Sequence, residues 1–234
     1  MFLFQLVLFL LFFFSSFSQD IASSWSLEGK NILVTGGSKG IGKACVNDIL
    51  QLGGTVVTCS RSIDDLKMLV ESEWKAYYDC NKLHITEADI TSHEGRQSLK
   101  DFCTEKFCRP DGVTVLHGLV NNVGFNIRKK ALDYTEEDYN KIMQTNLYSA
   151  FDLSLKLYEM LSLAEGKGSI VNIGSVAGGL GLAMKSGVVY AMTKAAMNQM
   201  TYNMACEWGK VASDSSLLGL GLFNNQVHRT VRMN

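Results

Sequence analysis

The sequence has a single proline, Pro110, among 234 residues, and none of its six cysteines (45, 59, 80, 103, 108, 206) falls into a disulfide-framework or metal-ligating spacing. No Asn-x-Ser/Thr acceptor occurs and no stripe of basic residues is visible. The net charge of -1 gives nucleic acid no electrostatic footing. These absences argue against a disulfide-stapled module, a metal cage and a nucleic-acid binder. The length suits one α/β domain with a full core.

Long apolar runs are also scarce, apart from the start. Residues 2–14 are apolar except for Gln5, and seven of the twelve Phe lie in the first 17 residues. Small residues at 16 and 18 follow, which is similar to a secretory signal peptide cleaved after Ser18. No Lys or Arg precedes the run, however, and it is short for a membrane span. A signal or membrane leader and a plain extension both fit residues 1–24, and membrane contact is expected only if the leader is retained. The dinucleotide-binding domain described next is expected over residues 25–210, with a divergent tail over 211–234.

What is present is organised around Asn31-Ile-Leu-Val-Thr-Gly-Gly-Ser-Lys-Gly-Ile-Gly42. Ile32, Leu33 and Val34 suit a strand buried on both faces, and the apolar residues Ile41, Ala44, Cys45, Ile49 and Leu52 recur at helical spacing. A glycine loop therefore hands a buried strand to a helix N-terminus. Free N–H groups and the positive end of the helix dipole make that junction an anion site, and Gly36, Gly40 and Gly42 let a pyrophosphate approach the backbone. Two other readings stay open: an ordinary glycine turn, and a P-loop, since residues 37–43 satisfy Gly-x4-Gly-Lys. Ala44 stands where a P-loop needs a magnesium-binding hydroxyl, which weighs against the second.

Strand-type runs recur at 55–59, 82–87, 113–120 and 168–173, and helical patterns at 64–77, 93–107, 136–163 and 190–209, with Thr135 as a cap. The alternation predicts a doubly wound parallel sheet, Rossmann-like, with strand order 3-2-1-4-5. The second strand ends in Ser60-Arg61 where dinucleotide folds often carry an acid for a ribose hydroxyl. With Lys39 on the glycine loop, Arg61 favours the 2′-phosphate of NADP(H), against the plainer reading of two surface cations.

Asn121-Asn-Val-Gly124 at the end of strand four, Asn146, Ser175 beyond strand five and Tyr190-x3-Lys194 all fall at or beyond strand C-termini, the edge where such sheets bind ligands. Tyr190 and Lys194 are one helical turn apart. A phenol titrates at about pH 10 and needs nearby positive charge to exchange protons at neutrality, which Lys194 could supply. The spacing alone decides nothing, because Tyr78-x3-Lys82 shares it away from that edge. Taken singly, Ser175 could be a strand-end cap and Asn146 an ordinary buried amide.

Together these segments resemble the signature of the short-chain dehydrogenase/reductase family. Trp25-Ser-Leu-Glu-Gly29, Asn126-Ile-Arg-Lys129 and Ala205-Cys-Glu-Trp208 are similar to its plant tropinone reductase-like branch. The resemblance implies that Tyr190 exchanges a proton with the substrate, Lys194 binds the nicotinamide ribose, Ser175 bonds the carbonyl and Asn146 holds a relay water. It also implies that Thr35, Gly36, Ser38, Lys39, Gly40, Ile41 and Gly42 form the cofactor loop. Ser60 and Arg61 would meet the 2′-phosphate, Asp89 and Ile90 the adenine, and Asn121 and Gly124 the cleft wall. The implied activity is NADP(H)-dependent interconversion of a small-molecule ketone and alcohol by a cytoplasmic protein, with room for a homo-oligomer.

Three features depart from the family pattern. Val123 replaces a usual Ala, the Ser175 to Tyr190 interval of fifteen residues requires the loop 178–187 to bulge, and after Lys210 the sequence diverges from the family's last strands and substrate-covering lobe. Strand five is therefore expected to be an open sheet edge. A cofactor-binding protein or regulatory partner without turnover stays open beside the enzyme.

Overall fold

The computed structural model describes residues 25–164, 168–179, 186–211 and 219–220. The leader and most of the divergent tail lie outside these residues. The chain runs β1 (Asn31–Thr35), α1 (Gly40–Gln51), β2 (Thr55–Ser60), α2 (Ile63–Leu69), a π turn (Val70–Trp74), α3 (Lys75–Asp79), β3 (Leu83–Glu87), α4 (His93–Phe107) and β4 (Gly118–Asn121). It continues through α5 (Glu136–Met143), a second π turn (Gln144–Tyr148), α6 (Ser149–Ser162), β5 (Ser169–Asn172), α7 (Val188–Val211) and β6 (Gly219–Leu220). Among the described residues these strands all pair in parallel, in the order β3-β2-β1-β4-β5-β6.

The period of two along β1 assigns its apolar residues to two cores. Ile32 and Val34 pack with Val46, Leu50, Leu66 and Trp74 beneath α1 and α2, whereas Leu33 packs with Leu99, Leu119, Leu153 and Leu157 beneath α4 and α6. Both faces are thus covered, which is why the strand reads as an unbroken apolar run. Helix starts follow the polar punctuation: Ser92 accepts from Gly95 N at 2.9 Å, and Thr135 with Asp138 forms a capping box. Among the described residues no helix is long and apolar enough to cross a membrane.

Two expectations are corrected. Strand four is confined to Gly118–Asn121, because residues 113–116 bond elsewhere: Leu116 N donates to Met160 O, Val115 and Leu116 are buried as a lead-in, and it is the His117 backbone that bonds across to Asn31 and Ser169. Strand five is not an open edge along its middle, since Ile170 and Val171 have Gly219 and Leu220 as parallel partners as well as Leu119 and Val120. Unpaired backbone on a strand edge is satisfied by any extended segment that reaches it, so a tail without clear strand patterning still pairs there.

Trp74 ties the second core together. It is 1% exposed and its indole N–H donates to Asn47 Oδ1 at 2.5 Å, fastening the first π turn to α1. Trp74→Ala is expected to lower the unfolding free energy by about 3–5 kcal/mol through the cavity and the unpaired amide. Denaturant midpoints check this, and a loss below about 1 kcal/mol would show that this core does not anchor the sheet.

Candidate functional site

Parallel strands bring their C-terminal ends to one edge, and a cleft of about 820 Å³ runs along it. Its floor at one end is the loop between β1 and α1. Gly36 and Gly40 have φ of 70° and 57°, conformations that strain a side-chain-bearing residue. Gly42 is required for a different reason: a Cβ there would lie 2.2 Å from Gly36 O, so the helix could not start this close to the loop. At Gly40 such an atom would meet nothing within 4 Å, and Lys39 gives the first turn of α1 no side-chain cap. The loop therefore presents open backbone and uncapped N–H groups to the cleft, which fits a pyrophosphate.

The loop is fastened to the end of β4. The buried Thr35 hydroxyl donates to Val120 O at 3.3 Å and accepts from Asn122 N at 3.0 Å, while Asn122 Nδ2 donates to Thr35 O at 2.9 Å and Gly36 O at 3.2 Å. Val123 closes over the same point, its Cγ2 lying 2.8 Å from where a Cβ on Gly36 would stand.

At the end of β2, Ser38 Oγ donates to Ser60 Oγ at 3.3 Å. Lys39 and Arg61 are exposed on the cleft wall and form no ion pair among the described residues, although Asp65 lines the same end. Beyond β3, Asp89 Oδ1 accepts from Thr91 N at 2.9 Å and Thr91 Oγ1 at 2.8 Å, shaping a turn that lines the cleft with Ile90.

At the other end, α7 delivers Tyr190 and Lys194. Lys194 is 3% exposed, its ammonium donates to Ile173 O at 2.6 Å and sits 5.9 Å from the Tyr190 ring centre. Burial pushes its pKa down to about 8, which leaves it mostly protonated at neutrality. Gly124 faces it, with an added Cβ falling 3.6 Å from Nζ and 3.4 Å from Asn146 Oδ1. Asn146, wholly buried in the second π turn, accepts from Phe125 N at 2.9 Å and donates to Phe125 O at 2.8 Å and Thr193 Oγ1 at 3.3 Å. Both its donors are committed, so a water could engage it only through the second lone pair of Oδ1.

Ser175 caps a short helical turn, its Oγ accepting from Ala177 N at 3.2 Å. That turn docks on α7: a Cβ on Gly178 would lie 2.5 Å from the Lys194 carbonyl carbon, and Asn198 Nδ2 donates to Gly178 O at 3.1 Å. The expected bulge falls mostly on residues 180–185, outside the described ones.

Asn121 departs from its expected place. It is 4% exposed and donates to Asn172 Oδ1 at 2.9 Å and Ser154 Oγ at 3.2 Å, so it sits behind the cleft wall and joins β4 to β5 and α6. Its neighbour Asn122 holds the loop instead. The signal that could have separated them is strand alternation, which turns adjacent side chains to opposite faces. Thr35 and Gly42 also lie behind the surface and support it. Lys82 of the spare Tyr-x3-Lys pair lies beside β3's first residue and bonds Glu28 Oε1 and Gly53 O, away from the cleft.

Residues 30–224 match the family model for short chain dehydrogenase. A tropinone reductase homolog of Arabidopsis thaliana is 44% identical over 193 residues, covering 82% of this chain and 67% of its own. A tropinone reductase homolog of Datura stramonium is 39% identical over 186 residues, covering 80% and 65%. The chain thus spans about two thirds of the length of these curated relatives. Among solved structures, a Pseudomonas aeruginosa RhlG/NADP active-site complex is similar with a TM-score of 0.71 at 29% identity, over 80% of this chain and 70% of that one.

Lys194 carries a pH signature. Its folded pKa of about 8 lies below the ordinary 10.5, so between those values the unfolded chain binds more protons and this group makes stability rise with pH. The burial penalty, on the order of 3 kcal/mol, applies in full below pH 8 and is relieved towards 10.5. Lys194→Met is expected to flatten the stability difference between pH 7.5 and pH 10 measured by denaturant melts. An unchanged pH slope would mean the ammonium is not desolvated.

Proposed function

The chain belongs to the short-chain dehydrogenase family, and from that premise we propose that it is an NADP(H)-dependent oxidoreductase that interconverts a small-molecule ketone and its alcohol. The observation that carries the reading is the buried Lys194 ammonium one helical turn from Tyr190, at the far end of a cleft that begins at an uncapped helix N-terminus.

In this reading the backbone of Gly36, Gly40 and Ile41 with the Ser38 hydroxyl would hold the pyrophosphate. Ser60, Arg61 and Lys39 would take the 2′-phosphate, Asp89 and Ile90 the adenine, and Lys194 the nicotinamide ribose. The bound nicotinamide would supply or receive the hydride. As charge builds on the carbonyl oxygen, the Tyr190 O–H gives up its proton to that oxygen, completing the alcohol, while the Lys194 charge stabilises the phenolate left behind. Ser175 Oγ already accepts from Ala177 N, which leaves its own hydrogen to donate to the same oxygen. Asn146 holds the Phe125 backbone and Thr193 in register, with one lone pair left for a relay water.

Tyr148, Phe151 and Leu155 recur at helical spacing and are exposed, which supports a homo-oligomer that covers this face.

The direct experiment is NADPH titration of the full chain followed by turnover with a ketone panel. Tyr190→Phe is expected to cut kcat by about 10²–10⁴-fold while NADPH affinity stays near the parent value. Binding without turnover in the parent would favour the regulatory, non-catalytic reading, and absence of binding would remove both.

Arg61→Asp is expected to move preference from NADP(H) towards NAD(H), because it exchanges a cation near the 2′-phosphate for a group that repels it and can accept from a 2′-hydroxyl. Direct titration of the two cofactors against parent and variant measures this. An unchanged affinity ratio would end the assignment of Arg61.

A further inference from the structure

Arg96 is the most deeply buried charged side chain among the described residues, 2% exposed, and none of the motifs above uses it. An arginine cannot shed its proton to escape desolvation, so its burial has to be compensated by partners. From α4 its Nη1 donates to Ile90 O at 2.8 Å and Thr91 O at 3.0 Å, and its Nε donates to Asp152 Oδ2 on α6 at 2.5 Å. The guanidinium also lies 5.1 Å from the Tyr148 ring centre. Two of its bonds therefore end on the backbone of residues 88–91, which line the cleft beyond β3.

The same segment is gripped elsewhere. Gln144 Nε2, at the start of the second π turn, donates to Thr91 O at 2.8 Å. Gly95 lets α4 press against it, since a Cβ there would lie 2.0 Å from Asp89 O. Side chains from α4 and the second π turn thus hold a turn that lies beyond the last β2–β3 ladder pair, Ser60 with Glu87, and has no ladder partner at Ile90 or Thr91 among the described residues.

Taking the cofactor reading above as its premise, we infer that Arg96 is a positioning residue for the adenine end of the cofactor, with Asp152 setting its orientation and Gln144 completing the clamp. Arg96 does not reach the cleft itself. It acts by fixing the carbonyls of residues 90 and 91, and through them the Asp89 and Ile90 surface on which the adenine would rest.

The test separates the two halves of the cofactor on the full chain. Adenosine 2′,5′-bisphosphate probes the adenine end and reduced nicotinamide mononucleotide the other, each by titration alongside NADPH. Arg96→Met is expected to weaken the bisphosphate and NADPH equally, by about tenfold or more, the scale of one lost charge-assisted hydrogen bond, with mononucleotide binding unchanged. Arg96→Lys, which keeps the charge and a donor, is expected to recover part of that loss. Asp152→Asn and Gln144→Leu repeat the measurement in milder form and are expected to show the same selective weakening, so the inference stays testable where Arg96→Met does not fold. Variants that melt earlier yet bind the bisphosphate within twofold of the parent would overturn it and leave Arg96 a purely structural residue. A parent chain that binds none of the three probes would overturn the cofactor reading and this inference with it.

Discussion

The structure depends on one tie, the hydrogen bonds that join the end of β1 to the end of β4 through Thr35 and Asn122. Strands 1 and 4 are neighbours in the sheet but belong to halves wound in opposite directions, so the chain leaves them towards opposite faces and a crevice opens between. Left alone, that crevice would expose the carbonyls of Thr35 and Gly36. Asn122 satisfies both with one amide, and the Thr35 hydroxyl satisfies the backbone of Val120 and Asn122 in return. The glycine loop is consequently held open from below, with its free face turned to the cleft.

A second regularity is how the site handles buried polarity. Lys194 and Arg96 are both nearly inaccessible, and both spend donors on backbone carbonyls at or beyond strand C-termini, Ile173 for one and Ile90 with Thr91 for the other. Carbonyls compensate a buried cation without cancelling its charge, unlike a carboxylate. Lys194, with no acid bonded to it among the described residues, keeps its charge 5.9 Å from the Tyr190 ring centre. Arg96, paired with Asp152, is neutralised and serves geometry. The two cations differ in local net charge because they differ in partner.

Much of this was legible in the residues. The glycine loop, the alternation of strand and helix and the Tyr190 to Lys194 turn are local patterns whose period or spacing survives without tertiary information. The errors fall where local pattern and pairing separate. Residues 113–116 have a strand's composition, but backbone bonds of Val113 and Leu116 go to Arg109 and Met160, outside the ladder. Gly219 and Leu220 have little strand propensity, but a free edge was within reach. Asn121 and Asn122 are chemically identical and adjacent, so only the direction of the pleat tells which one meets the loop. Arg96 left no sequence signal beyond a charge on the inner face of an amphipathic helix, since an arginine at that spacing reads first as a surface residue.

The second π turn explains how one helical stretch can serve both ends of the cleft. An inserted residue displaces the faces of α5 and α6 by about 100° relative to an uninterrupted helix. Residue 144 can therefore reach Thr91 O while α6 keeps Leu153, Leu157 and Leu161 in the core and Asp152 against Arg96. Within the turn, Asn146 has rotated inward to clasp Phe125, the residue that follows Gly124 in the cleft wall. A regular helix with the same sequence would have to give up the core face or the polar contacts. The wider turn keeps both, and so links the β3 end of the cleft, through Gln144, to the Gly124 end, through Asn146.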